Sequence, residues 1–199
     1  MPSAFELGPE AEELMAAAER LGRTELAPAV RDHERDARWP PRVLDVLRDI
    51  SLGGLDLPER LGGAGAGCVV KVAVLETLAA CDPGGLPAAD QPGPAAGAFV
   101  ACPDEEVAVE IAAACLAGSA QVALAVAAEP AEAPARIEWV PAWPPLTRVW
   151  LAVGDKLRLV AVDASSDSDE PALAFQASGT GSVDLGSGRE LGAWSLPSG

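Results

Sequence analysis

Tyrosine is absent from this 199-residue chain, aromatic residues make up only 4%, and His33 is its single histidine. Basic residues are scarce too, 14 Lys and Arg against 30 Asp and Glu, which leaves a formal charge of −16. Each shortage excludes something. A nucleic-acid binder needs cations to neutralise phosphates, and an anionic membrane surface needs them as well. The acidic excess points instead to a solvated surface or to a basic partner surface. Apolar runs such as Val122–Ala128 fall far short of the roughly 20 residues a membrane-spanning helix requires. Met1–Leu14 is acidic and has no apolar segment of the kind that opens a secretory signal, so a cytoplasmic protein is expected. Cys68, Cys81, Cys102 and Cys115 are widely spaced and form no C-x-x-C pair. With one histidine they make a poor zinc set, and they read as buried free thiols in a reducing compartment.

What is present is alanine and other apolar residues. The hydrophobic share is 49%, enough for a core and against general disorder. Alanine buries little area, so the chain is expected to form several shallowly packed helices and to lean on a partner.

The first half carries helical periodicity. Pro9-Glu10 opens a segment in which Leu14, Met15, Ala18 and Leu21 share a face, and Gly22 ends or interrupts it. A second helix runs from near Thr24 into Arg31–Arg38, whose mixed charges read as a solvated face, with His33 exposed on it. Pro41 begins a helix carrying Val43, Leu44, Val46, Leu47 and Ile50, closed by Gly53-Gly54. Another helix covers Cys68–Ala80 and stops at Asp82-Pro83-Gly84-Gly85. Leu86–Gly97 reads as a broken helix or exposed loop. Pro103-Asp104-Glu105-Glu106 starts the last helix, its acids at the positive end of the helix dipole.

Beyond Ala117-Gly118 the period changes to two. Gln121–Ala127 and Arg136–Val140 read as strands. Val149–Val162 alternates on both sides of Gly154-Asp155, the pattern of a hairpin with a glycine-led type II′ turn. Ala172–Phe175 and Ser182–Leu185 are further strand candidates. Ser178–Ser182 lacks the lysine and following helix of a phosphate loop, and Asp163–Glu170 lacks the glycine and closing glutamate of a calcium loop, so both read as surface loops. The fold class is α+β, an all-helical bundle (1–118) followed by a small antiparallel β-barrel or sandwich (119–199).

The run Leu52-Gly53-Gly54-Leu55-Asp56-Leu57-Pro58-Glu59-Arg60-Leu61-Gly62-Gly63-Ala64-Gly65 is specific as an ordered series. With Pro9-Glu10, Glu25-Leu26-Ala27-Pro28 and Leu75-Glu76-Thr77-Leu78 around it, the chain resembles the acyl-CoA dehydrogenase family. That resemblance implies the helical and middle β domains of the family, without its C-terminal helical bundle. It also implies FAD as cofactor, touched by a Thr/Ser-Glu-Pro segment after the first strand. Here the matching residues are Ala127, Ala128, Glu129 and Pro130; Ala128 has lost the hydroxyl, and Ala131–Pro134 lacks the glycine. The family's next element, a Trp-Ile-Ser/Thr strand, has no counterpart, since Trp139, Trp143 and Trp150 lack a hydroxyl two residues on.

In the family the base that takes the substrate's α-proton lies in the C-terminal bundle, and no such residue is recognised here. The resemblance therefore implies no catalytic residue of this chain's own and a flavoprotein oxidoreductase role only as part of a heteromer, a pseudoenzyme that pairs with a fuller acyl-CoA dehydrogenase-like subunit or with itself. An acyl thioester is the expected ligand. The alternative is a stand-alone module that binds an acyl or other small ligand without redox activity.

Overall fold

The computed structural model describes residues 7–36, 38–127, 136–140, 147–162, 181–186 and 188–196. Helix α1 spans Pro9–Leu21, with proline in its first turn, Glu10 and Glu12 at its positive end and Arg20 at its negative end. Gly22 does not stop it. The chain continues through a single π turn (Gly22–Leu26) and a 3₁₀ turn (Ala27–Ala29) into α2 (Val30–Asp36). Gly22 is buried, because α1 lies against α4 and Cys81 occupies the space a side chain would need.

Helix α3 (Pro41–Asp49) buries Val43, Leu44 and Leu47. The glycine-rich run that follows is a fold-back loop. Ala64, Gly65 and Ala66 donate backbone N–H groups to Gly54, Leu57 and Leu55 at 2.8–2.9 Å. This folding buries Leu52, Leu55, Leu57 and Leu61 in series. Gly53 has no room for a Cβ, which would overlap the carbonyl of Gln91. The loop is thus locked onto the segment before α6.

Helix α4 (Cys68–Ala79) buries Lys71, Val74 and Leu78. The Leu86–Gly97 stretch is a broken helix: one turn α5 (Leu86–Ala89), a 3₁₀ turn (Gly93–Ala95) and α6 (Ala96–Ala101). Helix α7 (Glu105–Leu116) is capped by Asp104, whose carboxylate accepts the Val107 N–H at 3.2 Å.

Six strands follow: β1 (Val122–Ala127), β2 (Arg136–Val140), β3 (Arg148–Val153), β4 (Lys156–Ala161), β5 (Gly181–Asp184) and β6 (Arg189–Ser195). One sheet has the order β1-β3-β4-β6, and β2 pairs with β5 in a second. β1 and β3 run parallel while the other described pairings are antiparallel, so the larger sheet is mixed. The β3–β4 hairpin turns at Gly154-Asp155; φ is +55° at Gly154 and not positive at Asp155, as a type II′ turn requires. The expected strand at Ala172–Phe175 lies outside the described residues. Strand β6 was not legible in the sequence, since it buries no residue fully and has Gly192 where a side chain would mark the period.

The helical and β parts share a core. Leu57, Leu61, Phe99, Ile111 and Cys115 from the helical side pack with Val122, Trp150, Leu157 and Leu159 from the sheet. A second cluster, with Trp39, Leu44, Leu47, Leu52, Val74 and Leu78, lies wholly within the helices. A third covers the opposite face of the sheet with Val149, Leu151, Val153, Val160 and Val162. β3 is therefore apolar on both faces.

Candidate functional site

The sequence pointed to Ala127, Ala128 and Glu129 as the flavin-facing segment. Ala127 is the last residue of β1, opposite Val153, and its carbonyl accepts the N–H of Gly154 at 3.1 Å. Its methyl is buried against the sheet. Ala128 and Glu129 lie outside the described residues. One residue earlier, Val126 is 71% exposed on the opposite face of the strand. A single exposed apolar side chain is ordinary on a protein surface, so Val126 by itself marks no site. Ala127 and Ala128 have no polar side-chain atom, so any hydrogen bond they make to a ligand comes from the backbone.

The other end of β1 is also notable. A cavity of about 150 Å³ opens between α3, the 51–62 turn, the end of α7 and the first residue of the strand segment. Arg48, Cys115, Leu116 and Gln121 are among its walls. Gln121 is 2% exposed, and neither its Nε2 nor its Oε1 has a partner among the described residues. Burial pushes the Cys115 thiol up to about 12, with Arg148 pulling weakly the other way, so this wall is neutral at ordinary pH.

Two buried polar networks fasten the helices. His33, expected on a solvated face, is 3% exposed. Its Nδ1–H donates to Asp82 Oδ2 at 2.7 Å; the carboxylate can only accept, so Nδ1 carries the proton. Trp39 Nε1–H donates to the same oxygen at 2.7 Å, and the Gly84 N–H donates to Asp82 Oδ1 at 3.0 Å. Mixed charges around His33 hid the fact that this one position turns inward. Farther on, Lys71 is 5% exposed and pairs with Asp56 at 2.9 Å and Asp90 at 2.7 Å. Sequence reading passed over Lys71, although a lone lysine in the apolar run Val69–Leu75 was a usable signal for a buried ion pair.

The thiols also differ from expectation. Cys102 and Cys115 are buried, Cys81 is half-buried, and Cys68 is exposed at the first position of α4. Among the described residues no group of His, Cys, Asp and Glu is arranged to hold a metal ion. No described helix is long and apolar enough to cross a membrane.

Comparison with known proteins places these features. Residues 8–107 match the family described as acyl-CoA dehydrogenase, N-terminal domain. The probable acyl-CoA dehydrogenase fadE25 of Mycobacterium leprae is 35% identical over 78 residues, which is 39% of this chain and 20% of that protein. Among solved structures, a glutaryl-CoA dehydrogenase from Mycobacterium smegmatis in complex with FADH2 superposes with a TM-score of 0.68 at 18% identity, covering 90% of this chain and 53% of that one. The ChsE4-ChsE5 complex of Mycobacterium tuberculosis gives 0.66 at 18% identity, covering 94% of this chain and 57% of its counterpart. The chain thus spans about half the length of these solved relatives, and the likeness runs through both helices and sheet. With the family's N-terminal domain matched across half of its residues, the chain belongs to the acyl-CoA dehydrogenase family.

Proposed function

We propose that this chain forms the helical domain (1–118) and middle β domain (119–199) of a flavin-dependent acyl-thioester oxidoreductase acting on CH–CH donors. It works with a fuller acyl-CoA dehydrogenase-like subunit rather than alone. The observation that carries this reading is the match of residues 8–107 to the family's N-terminal domain, with a fold likeness that covers 90% of the chain. FAD, when bound, would supply the hydride acceptor for the substrate's β-carbon. By the resemblance, Ala127, Ala128 and Glu129 would hold the flavin edge, the two alanines through backbone groups alone. Neither alanine can give or take the substrate's α-proton, and the family resemblance puts the base outside this segment, so this reading assigns it to the partner. The solved relatives that carry FADH2 or form a two-protein complex support both halves of the reading.

The test is the visible spectrum of the full chain, purified alone and after co-expression with an acyl-CoA dehydrogenase-like subunit from its source. Flavin absorbance bleached by an acyl-CoA is expected in the co-expressed sample. Ala128→Thr restores a hydroxyl donor and is expected to tighten flavin retention about fivefold, since one hydrogen bond contributes about 1 kcal/mol. Absence of flavin from both samples rejects the reading.

A further inference from the structure

We propose that the outer face of α4, with the groove between α4 and α1, is a docking site for an amphipathic helix of another polypeptide, one whose apolar stripe is flanked by basic residues. The site lies on the helices alone and needs no flavin, so its failure would leave the proposed redox role untouched.

Helix α4 turns one side, Lys71, Val74 and Leu78, into the protein. Its opposite side is apolar as well. From Leu61 to Leu75 the chain holds one charged residue, Lys71, and that ammonium points inward to Asp56 and Asp90. Val69 and Val72 are left 44% and 51% exposed. A helix that is apolar all round is one that other elements cover. Helical spacing carries the same strip from Val69 through Ala73 to Ala80. Ala80 is a wall of a groove of about 620 Å³, which Met15 and Ala16 of α1 line as well. A lone exposed valine is ordinary, but an apolar strip that runs into a groove is the form in which a helix is received.

Charge decides the occupant. Glu76 is exposed on this face between Val72 and Ala80, and Glu12 lines the groove from α1. Neither is in an ion pair among the described residues, whereas Glu19 is already paired with Arg23 at 2.6 Å. A second copy would bring the same acids and another formal charge of −16, and is repelled. A different chain with Lys or Arg beside its apolar stripe pairs with Glu12 and Glu76 while covering Val69 and Val72.

The probe is a fluorescein-labelled helix of Leu and Lys about 14 residues long, three to four turns with its leucines on one face. The control is the same peptide with Glu for Lys, and each is titrated into the full chain by fluorescence anisotropy. The Lys peptide is expected to bind and the Glu peptide is not. Val69→Ser with Val72→Ser keeps every charge, and is expected to weaken the Lys peptide about tenfold at unchanged Tm. Glu12→Gln with Glu76→Gln is expected to weaken it too and to flatten its salt dependence. Cys81, on the groove wall, is expected to be protected from N-ethylmaleimide by the bound peptide. Undiminished binding by either variant means attraction to the acidic surface at large, and overturns the proposal. So does an unprotected Cys81, or no binding of the Lys peptide. A wild-type dimer in size-exclusion chromatography that the serine variant loses overturns it as well, since the face then belongs to a second copy.

Discussion

Among the described residues two tryptophans are wholly buried, Trp39 in the helical half and Trp150 where helices meet sheet. Their surroundings differ in kind. Trp39 gives its N–H to Asp82, which also takes hydrogen bonds from His33 and Gly84. Trp150 packs edge-on to Phe99, with ring centroids 5.8 Å apart, and against Trp194 at 5.7 Å, but its Nε1–H has no partner among the described residues. The same contrast holds more widely. In the helices Lys71 and Asp82 are paired, while His33 Nε2 and Asp90 Oδ1 have no hydrogen-bond partner among the described residues, although Asp90 forms an ion pair with Lys71. At the junction the Gln121 side chain, Arg148 Nε and Trp150 Nε1 have none among the described residues. The helical half thus holds its buried charges in ion pairs, whereas the junction holds an amide, an indole N–H and one guanidinium nitrogen without partners among the described residues.

Removing the centre of the paired network has the largest expected effect. Asp82→Ala leaves three buried donors without an acceptor, and at about 1–3 kcal/mol for each unsatisfied group a loss of about 3 kcal/mol or more is expected. Urea unfolding reads this as a lower midpoint with an unchanged slope. A loss below about 1 kcal/mol, within the range of ordinary substitutions, would show that the helices are not fastened there.

The sequence disclosed these two regions unequally. Helices and the hairpin were legible because their apolar periods are local: Val43, Leu44 and Leu47 fall on one helix face, and Gly154 marks the turn. The fold-back loop was legible as a family motif, but its reason is tertiary, the close approach of Gly53 to the Gln91 backbone. Polar pairing was not legible. His33 and Asp82 are 49 positions apart, and Lys71 finds its two acids on separate loops, so no window along the chain contains both partners. For the candidate site, Ala127 was identified by resemblance, while Gln121 was read only as the first residue of a strand, since the burial of its side chain depends on α3 and α7, far away along the chain.

The two tryptophans allow a direct test of the contrast. Phenylalanine at either position removes comparable ring atoms, so the cavity term is similar. Trp39→Phe also deprives a buried carboxylate of a donor, and an expected cost of about 2–4 kcal/mol follows. Trp150→Phe removes an N–H that has no partner among the described residues and is expected to cost about 1–2 kcal/mol, the packing contribution alone. Equal losses in parallel urea titrations would mean that the Trp150 N–H is paired in solution, and the junction would no longer differ from the helices.

The smallest expected effect concerns Lys71, where one ammonium serves two carboxylates. Burial alone pulls the Lys71 pKa down, but Asp90 and Asp56 together more than reverse this, so it lies above its ordinary value. Asp90 is raised as well: burial pushes it up, Lys71 opposes, and the like charge of Asp56 adds to the rise. The two shifts act in different pH ranges. An acid whose pKa is higher folded than unfolded holds its proton longer in the native state, so its contribution to stability declines as pH rises from near 3.8 through the raised value. A base with a raised pKa contributes stability that is present below 10.5 and lost as pH rises through the folded value. Asp90→Asn removes the acidic-side decline and leaves Lys71 paired with Asp56, so the alkaline loss persists in weakened form. Urea midpoints for wild type and variant across this range give the difference, with the other acids common to both. If the two curves run parallel upward from pH 4, Asp90 is ionised without penalty. The Lys71 cluster would then be an open surface arrangement rather than the buried clamp that sets the helical half apart.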